Sequence, residues 1–334
     1  MATKLQDNIN LCKTATGTYI ADSPAKWSIG ATLHGGYVAA VIHHAITTHV
    51  QQEPSLVALN QPDVLKLHLQ FVRGCESTAS TINIAPIKTG GGISVFQVQL
   101  SQKNQLRVLA LATMTDFAKS LGPSHATAWK LHPPPAPIPD FELVENARSE
   151  PNWLPVCMAG EVLAASEQLI WLQPRGGFPD DGKIDFWNHW HGGQTMDATC
   201  MALMSDMIPS MSDTLLRNTG LYDAHKTHRI TEAWAAEHPG QVCVLRPKMS
   251  DITKAGVFNM TVTLDIEFKR RLPEQGLRWV FTRIESRMME AGRMDLDITL
   301  CDEQMGLVCV AHQLVVVVEA QRKMRTRAAG TSSL

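Results

Sequence analysis

The stretch WSIGATLHGGYVAAVIHHAI, residues 27–46, decides the fold. Glycines in its first half lead into a run whose apolar residues recur at three- and four-residue steps: Val38, Val41, Ile42, Ala45 and Ile46. This spacing predicts a loop that enters a largely buried helix. Residues 64–117, which follow, are mostly strand-like, so we expect a sheet wrapped around a single central helix.

Composition places the chain among ordinary globular proteins. It has 334 residues, 44% hydrophobic and 19% charged, which is enough for two domains. A net charge of −2 does not favour nucleic acid or a membrane surface as partner. There is no signal-peptide run and no apolar window of about 18 residues, so we expect a cytoplasmic protein. The final Ser-Ser-Leu is only weakly similar to a peroxisomal signal.

The seven cysteines are odd in number, scattered and without a CxxC pair, which favours reduced thiols over disulfides or zinc ligands. Histidines 43, 44 and 49 share the first helix, but adjacent residues do not share a helix face. No acidic partner stands at ligand spacing from them or from His189 and His191. We therefore expect no metal and no cofactor.

A proline-rich segment divides the chain. Prolines 133, 134, 135, 137 and 139 predict a semi-rigid connector that cannot join a central strand. Four strands are predicted before it, over 64–72, 77–87, 93–102 and 106–117. The predicted organisation is therefore an N-terminal domain over 1–120, a linker over 121–150 and a C-terminal domain over 151–334, with an insertion at about 210–256.

The two halves resemble each other. His34-Gly35-Gly36 and His191-Gly192-Gly193 each precede an apolar helical pattern, and each pattern is followed by four predicted strands. Residues 67–71 can be laid on 264–268, and 106–113 on 306–313. About 40 extra residues separate helix from strands in the second half. A duplicated, helix-wrapped sheet is the simplest interpretation.

This arrangement resembles the double hotdog fold of the thioesterase-like superfamily, the group around the type II acyl-CoA thioesterases. The first half carries the family-like helix entry Leu33-His34-Gly35-Gly36-Tyr37. In the second half, family-like relative spacings are shown by Leu264-Asp265, Pro273, Trp279, Glu285, Arg293 and Gln313. The resemblance covers nearly the whole chain. It implies an α+β fold of two antiparallel sheets, each wrapped around a central helix, and possible assembly into a homo-oligomer.

The resemblance also implies a site. Family members place a catalytic aspartate at the position of Asp265 and a glutamine at that of Gln313, and they complete the site with a Ser/Thr hydroxyl. Here the place of that hydroxyl holds Arg287, with Ser286 beside it.

Chemistry points to the same residues. Thioester hydrolysis needs an activated water and a stabiliser for the developing oxyanion. Asp265 interrupts an apolar strand, which predicts a buried carboxylate with a raised pKa, and the amide of Gln313 could hold the water. The helix start offers unpaired backbone amides at Gly35, Gly36 and Tyr37 as oxyanion donors.

His34 admits two interpretations, a general base or a helix cap that packs under the loop, and the second is favoured. The first functional hypothesis is hydrolysis of an acyl-CoA or a carrier-bound acyl or polyketide thioester, with water activated by Asp265 and Gln313. A dehydratase, cyclase or isomerase acting on a polyketide-like substrate remains open, because His34 and His68 suit proton transfer. A non-catalytic acyl-binding protein is the third, and fold alone does not choose among them.

Overall fold

Two strands from opposite halves of the chain pair at the centre of the molecule, and the sheet extends outward from them on both sides. The computed structural model describes residues 5–178, 180–217, 220, 222–252 and 256–319. The strands of the first half are β1 (Leu11–Ala15), β2 (Thr18–Ala21), β3 (Ser28–Ile29), β4 (Thr32–Leu33), β5 (Asp63–Phe71), β6 (Ser80–Lys88), β7 (Ser94–Gln102) and β8 (Gln105–Thr115).

The second half contributes β9 (Trp153–Met158), β10 (Leu169–Pro174), β11 (Lys183–Trp190), β12 (Cys243–Leu245), β13 (Val257–Phe268), β14 (Trp279–Glu285), β15 (Met289–Glu290), β16 (Arg293–Cys301) and β17 (Leu307–Glu319). The α-helices are α1 (Gly35–Gln52), α2 (Pro54–Val57), α3 (Phe141–Glu145), α4 (Ala198–Met204), α5 (Met211–Leu216), α6 (Ala224–Glu237) and α7 (Met249–Ile252).

The sheet is continuous across the two halves. Its order is β1-β2-β6-β7-β8-β5-β13-β17-β16-β14-β11-β10-β9-β12, and β15 pairs with β16 to make 15 strands. The predicted strands are confirmed, but the expectation of two separate sheets is wrong. The edges β5 and β13 pair antiparallel, with Asp265 opposite His68. Free strand edges favour such pairing, and here each half covers the edge of the other.

The start of the second helix differs from its prediction. His191–Gly193 forms a 3₁₀ turn, and α4 begins at Ala198 behind the N-cap Asp197, whose carboxylate accepts from the Cys200 amide at 2.8 Å. Gly192 and Gly193 both have φ of 77°. This left-handed conformation is open to glycine and breaks a right-handed helix.

Helices α1 and α4 lie in the main apolar core, on the inner face of the sheet. Helix α4 is buried from Thr199 to Met204, whereas α1 is buried over most of its length and exposes Gln51 and Gln52 at its end. Only α1 is long, with 18 residues. In the second half the central helix α4 is short, with 7 residues, and the insertion follows it. The insertion contributes α5, α6, α7 and the edge strand β12, which pairs parallel to β9.

The proline-rich segment packs against the outer face of the second half. A second apolar cluster there contains Trp153, Trp187 and Trp279, and Phe141 of α3 stacks on the last of these with centroids 4.9 Å apart. The predicted domain boundaries remain a prediction.

A buried ion pair fastens this segment to the sheet. The Arg283 side chain is 2% exposed and donates to both carboxylate oxygens of Asp185 at 2.7 Å. It also donates to the Pro133 carbonyl at 2.7 Å.

In the described part of the chain, no helix is long and apolar enough to cross a membrane. The same residues contain no cluster of three or more His, Cys, Asp or Glu side chains that could hold a metal ion. The terminal Ser-Ser-Leu lies outside the described residues.

We expect Asp185→Asn to destabilise the fold, because it leaves the buried Arg283 guanidinium without its counter-charge. Loss of one member of a buried pair costs about 3–5 kcal/mol, and urea unfolding should show a decrease of this order. The control is Asp181→Asn, which removes an exposed ion pair to Arg217 and should leave the unfolding midpoint nearly unchanged. Equal effects of the two changes would contradict the anchoring role of Arg283.

Candidate active site

The first turn of α1 meets the residues that follow α4. His34 is the N-cap of α1, and its Nδ1 accepts a hydrogen bond from the Gly36 amide at 3.2 Å. The same amide donates to Asp206 Oδ2 at 2.7 Å. On the other side, Gln313 Nε2 donates to Asp206 Oδ1 at 3.0 Å and to the Ser205 carbonyl at 2.8 Å. Both oxygens of one carboxylate are therefore held by fixed donors from opposite halves of the chain.

The contact between the start of α1 and the end of α4 requires glycine, because it leaves no room for a side chain. A Cβ at Gly36 would lie 2.4 Å from the Leu203 carbonyl oxygen and 3.0 Å from Asp206 Cβ. A Cβ at Gly35 would lie 2.7 Å from Asp206 Oδ2. The Gly-Gly pair thus lets the helix start approach the end of α4 until a direct amide-to-carboxylate bond forms.

The carboxylate is mostly shielded but retains access to solvent. The side chains of Asp206 and His34 are 12% and 10% exposed, and His34 Nδ1 lies 3.6 Å from Asp206 Oδ2. Burial lowers the pKa of His34, and the nearby Asp206 opposes this shift. Because Nδ1 accepts from Gly36, the proton of the neutral imidazole is assigned to Nε2.

The structure does not bring Asp265 and Gln313 together, so the prediction that they hold one water is wrong. In the β13–β17 pair, Gln313 lies opposite the buried Leu264, whereas Asp265 lies opposite His312. Successive residues of a strand point to opposite faces. Asp265 is therefore on the outer face, 29% exposed, with its Oδ1 3.0 Å from His68 Nδ1. The prediction of a buried carboxylate at this position is wrong for the same reason.

The remaining predicted residues fall into two groups. Arg287 is 68% exposed and pairs with Asp295 and Asp297, while the Ser286 hydroxyl donates to the Met288 carbonyl at 3.3 Å. Asp297 lies opposite His312 in the β16–β17 pair, so Arg287 binds on the outer face, away from Asp206.

Gly35, Gly36 and Tyr37 do lie at the helix start, as predicted. The Gly36 amide, however, is engaged by Asp206, so only the amides of Gly35 and Tyr37 remain as first-turn donors that helix geometry leaves without an intrahelical acceptor. The Tyr37 ring stacks on Trp27 with centroids 4.8 Å apart.

Asp206 was missed by sequence reasoning. Its signal is that it is the only charged residue in the mostly apolar run from Ala198 to Pro209. A carboxylate enclosed in such a run requires donors. Its partners Gly36 and Gln313 are 170 and 107 residues away in sequence, so the pattern shows that donors are needed but not which residues supply them.

The internal repeat creates a second position equivalent to the Asp206 site, and different residues occupy it. The N-caps His34 and Asp197 are equivalent, and the same offset of 163 positions relates His43 to Asp206. His43 Nδ1 lies 3.1 Å from the Thr199 hydroxyl, the counterpart of Gly36. By strand register Ala112 replaces Gln313. The second copy has neither the carboxylate nor the amide, and burial lowers the pKa of His43 to about 3.

Comparison with known proteins gives the family. Residues 133–317 match the family model of the acyl-CoA thioesterase C-terminal domain, and residues 23–115 match that of the N-terminal domain. A curated relative is the thioesterase-like protein TwmA of Talaromyces wortmannii, 24% identical over 325 residues, with 91% of this chain and 89% of the relative covered.

Two solved structures share the fold. One is a putative thioesterase II from Thermobifida fusca, with a TM-score of 0.66, 14% identity, and 96% of this chain and 99% of that chain covered. The other is an acyl-CoA thioesterase II from Mycobacterium marinum, with a TM-score of 0.56, 16% identity, and 93% and 95% covered. At these identities the likeness shows the double hotdog fold alone.

We expect Gly36→Ala to lower the free energy of unfolding by about 1–3 kcal/mol, the usual cost of overpacking, because the new methyl group meets the Leu203 carbonyl. Chemical denaturation gives the measurement. Gly122→Ala is the matched control, since a Cβ there meets no atom within 4 Å. A Gly36→Ala protein as stable as the control would mean that α1 and α4 are not in this close contact.

Proposed function

Because the chain belongs to the acyl-CoA thioesterase family, we propose that it hydrolyses an acyl thioester and that Asp206, rather than Asp265, is the general base. The observation that carries this proposal is the carboxylate of Asp206, fixed by the Gly36 amide and the Gln313 side chain at a helix start. A partly exposed carboxylate with its orientation set by two donors is suited to accept a proton from a bound water.

In the proposed reaction, a water held against Asp206 attacks the thioester carbonyl carbon while its proton passes to the carboxylate. The carbonyl oxygen takes up negative charge and is stabilised by the Gly35 amide at the start of α1. The tetrahedral intermediate then collapses, the C–S bond breaks, and the departing thiolate receives the proton. Gln313 serves as a positioning residue, since its amide holds Asp206 Oδ1 and the Ser205 carbonyl.

We assign His34 two tasks. Its Nδ1 caps the helix, and its Nε2–H is a neutral donor that can reach the substrate oxygen. A lowered pKa keeps the ring neutral at neutral pH, so this donor does not form an ion pair with Asp206. The substrate is an acyl group carried on CoA or on a carrier protein.

Asp206→Asn should lower kcat/KM for acyl-CoA hydrolysis by about 100-fold or more, the usual worth of a general base, because an amide cannot take the proton. Thiol release from a panel of acyl-CoAs measures the effect. Asp265→Asn is the matched control and should hydrolyse like the wild type. The reverse outcome, with Asp265 required and Asp206 dispensable, would overturn the assignment.

His34→Asn separates capping from catalysis. Asparagine is a strong N-cap, so this variant should keep the stability of the wild type yet lose about 10-fold or more in kcat, while His34→Ala should lose both. In the wild type, kcat should hold at pH 6.5 and fall only on the acid side of it, because the pKa of His34 is lowered. Full activity in His34→Asn would restrict His34 to the cap.

A further inference from the structure

Among the described residues of the second half, several buried side chains carry a polar atom without a hydrogen-bond partner, and three of these side chains lie on one face of β10 and β11. Trp171, Gln173 and Asn188 are 6%, 3% and 0% exposed. Trp171 Nε1, Gln173 Oε1 and Asn188 Oδ1 have no hydrogen-bond partner among the described residues. Each such atom is costly to bury, so a cluster of three calls for a physical explanation.

The three side chains lie on the same face of the sheet. Trp171 lies directly opposite Asn188 in the β10–β11 pair, and Gln173 follows two residues along the same strand. Residues so placed share a face, about 5–7 Å apart. That face is the inner one, because Trp171 belongs to the main core, whereas its neighbours Ile170 and Leu172 belong to the outer cluster.

The orientation of the Asn188 amide is fixed. Its Nδ2 donates to the Thr282 hydroxyl at 2.9 Å and to the Val280 carbonyl at 3.3 Å. A carbonyl only accepts, so the nitrogen must occupy this side of the amide and Oδ1 must point away from both groups. The group that pairs with Asn188 Oδ1 must be a hydrogen-bond donor, and none of the described protein groups donates to this oxygen.

The repeat does not require a polar residue at the place of Asn188. Cross-strand register, followed outward from the β5–β13 junction, makes Ala21 the first-half counterpart of Asn188 and Ile82 that of Thr282. Both counterparts are fully buried and apolar. Apolar residues are therefore compatible with this architecture at the places of Asn188 and Thr282.

We propose that this cluster, Trp171, Gln173 and Asn188, binds a hydroxyl group on the acyl chain, so that the protein acts on hydroxylated acyl thioesters. The proposal rests on the proposed hydrolysis at Asp206. A hydroxyl accepts from the Trp171 indole N–H and donates to an amide oxygen of Asn188 or Gln173. An unsubstituted alkyl chain at the same place would leave all three atoms unpaired, which disfavours its binding.

Helix α4 connects the cluster to the reacting centre. Near its start, Cys200 Sγ accepts from the indole N–H of Trp190 at 3.1 Å, and Trp190 lies on the strand that carries Asn188. Asp206 lies six residues beyond Cys200, about 9 Å along a helix. A chain whose thioester carbonyl sits at Asp206 can therefore run along α4 toward the inner face of β10 and β11.

The test compares binding of S-decyl-CoA with that of its hydroxydecyl isomers, thioethers that cannot be hydrolysed, to the wild-type protein by calorimetry. We expect at least one isomer to bind about 10-fold tighter than S-decyl-CoA, since one satisfied buried group contributes about this much. In Gln173→Met and Asn188→Leu the hydroxylated ligand should weaken, the unsubstituted one should strengthen, and the ratio should fall toward one. Gln99→Met, on the first half, is the control and should keep the wild-type ratio.

If no hydroxylated isomer binds tighter than S-decyl-CoA to the wild type, the proposal is overturned, whatever the variants do. A preference that persists in both folded variants overturns the assignment to this cluster. These outcomes are independent of turnover. If the protein hydrolyses none of the acyl-CoAs but still prefers a hydroxylated ligand, only the proposed role of Asp206 is contradicted. If hydrolysis depends on Asp206 but the preference is absent, only the proposed hydroxyl binding by the cluster is contradicted.

Discussion

The hydrogen bond from the Gly36 amide to Asp206 is the contact on which the site depends. It forms only because two glycines let the start of α1 approach the Leu203 carbonyl and the Asp206 side chain. The bond spans 170 residues of sequence and joins the two halves at their central helices. The β5–β13 pairing joins the same halves through the backbone, and the register of that sheet places Gln313 beneath the carboxylate. Three distant segments thus meet at one charged group, whose burial requires all of them.

Much of the fold was open to prediction from the sequence, because strand and helix periodicities are local. The four strands after α1, the corresponding four in the second half and the helix start at Gly35 follow from alternation, helical spacing and glycine placement. The start of the second helix could not be predicted in the same way. His191-Gly192-Gly193 has the same sequence as His34-Gly35-Gly36, but both of its glycines have a left-handed backbone. The edge pairing that merges the two sheets has no local signal, since either half could in principle have kept its own edge.

The residues of the site were harder to predict from the sequence than the fold, as Asp265 shows. Strand alternation in Leu264-Asp265-Ile266 already places the aspartate on the face opposite its apolar neighbours, so the outward position was contained in the pattern. Spacing relative to a resembled family favoured Asp265 for the interior of the site despite that parity, and the structure places it on the outer face. Gln313 has the parity of Leu264 and points inward. Asp206 could be noticed as a lone charge in an apolar run, but which donors reach it depends on how α4 lies against α1, a tertiary fact.

The two copies of the repeat have diverged in complementary ways. At the place equivalent to Asp206 the first half carries the buried neutral His43 against the Thr199 hydroxyl, and Ala112 stands where Gln313 does, so this copy is satisfied internally and offers no base. In the sheet the second half carries the polar residues: Asn188 and Thr282 stand where the first half has the apolar Ala21 and Ile82. A polar atom without a protein partner persists against its cost only where something else compensates for it. The carboxylate, its amide holder and the unsatisfied polar cluster all depend on second-half residues around α4, whereas the first half supplies the glycine helix start. In the proposed reaction, the first half therefore holds the oxyanion, and the second half supplies the base and recognises the acyl chain.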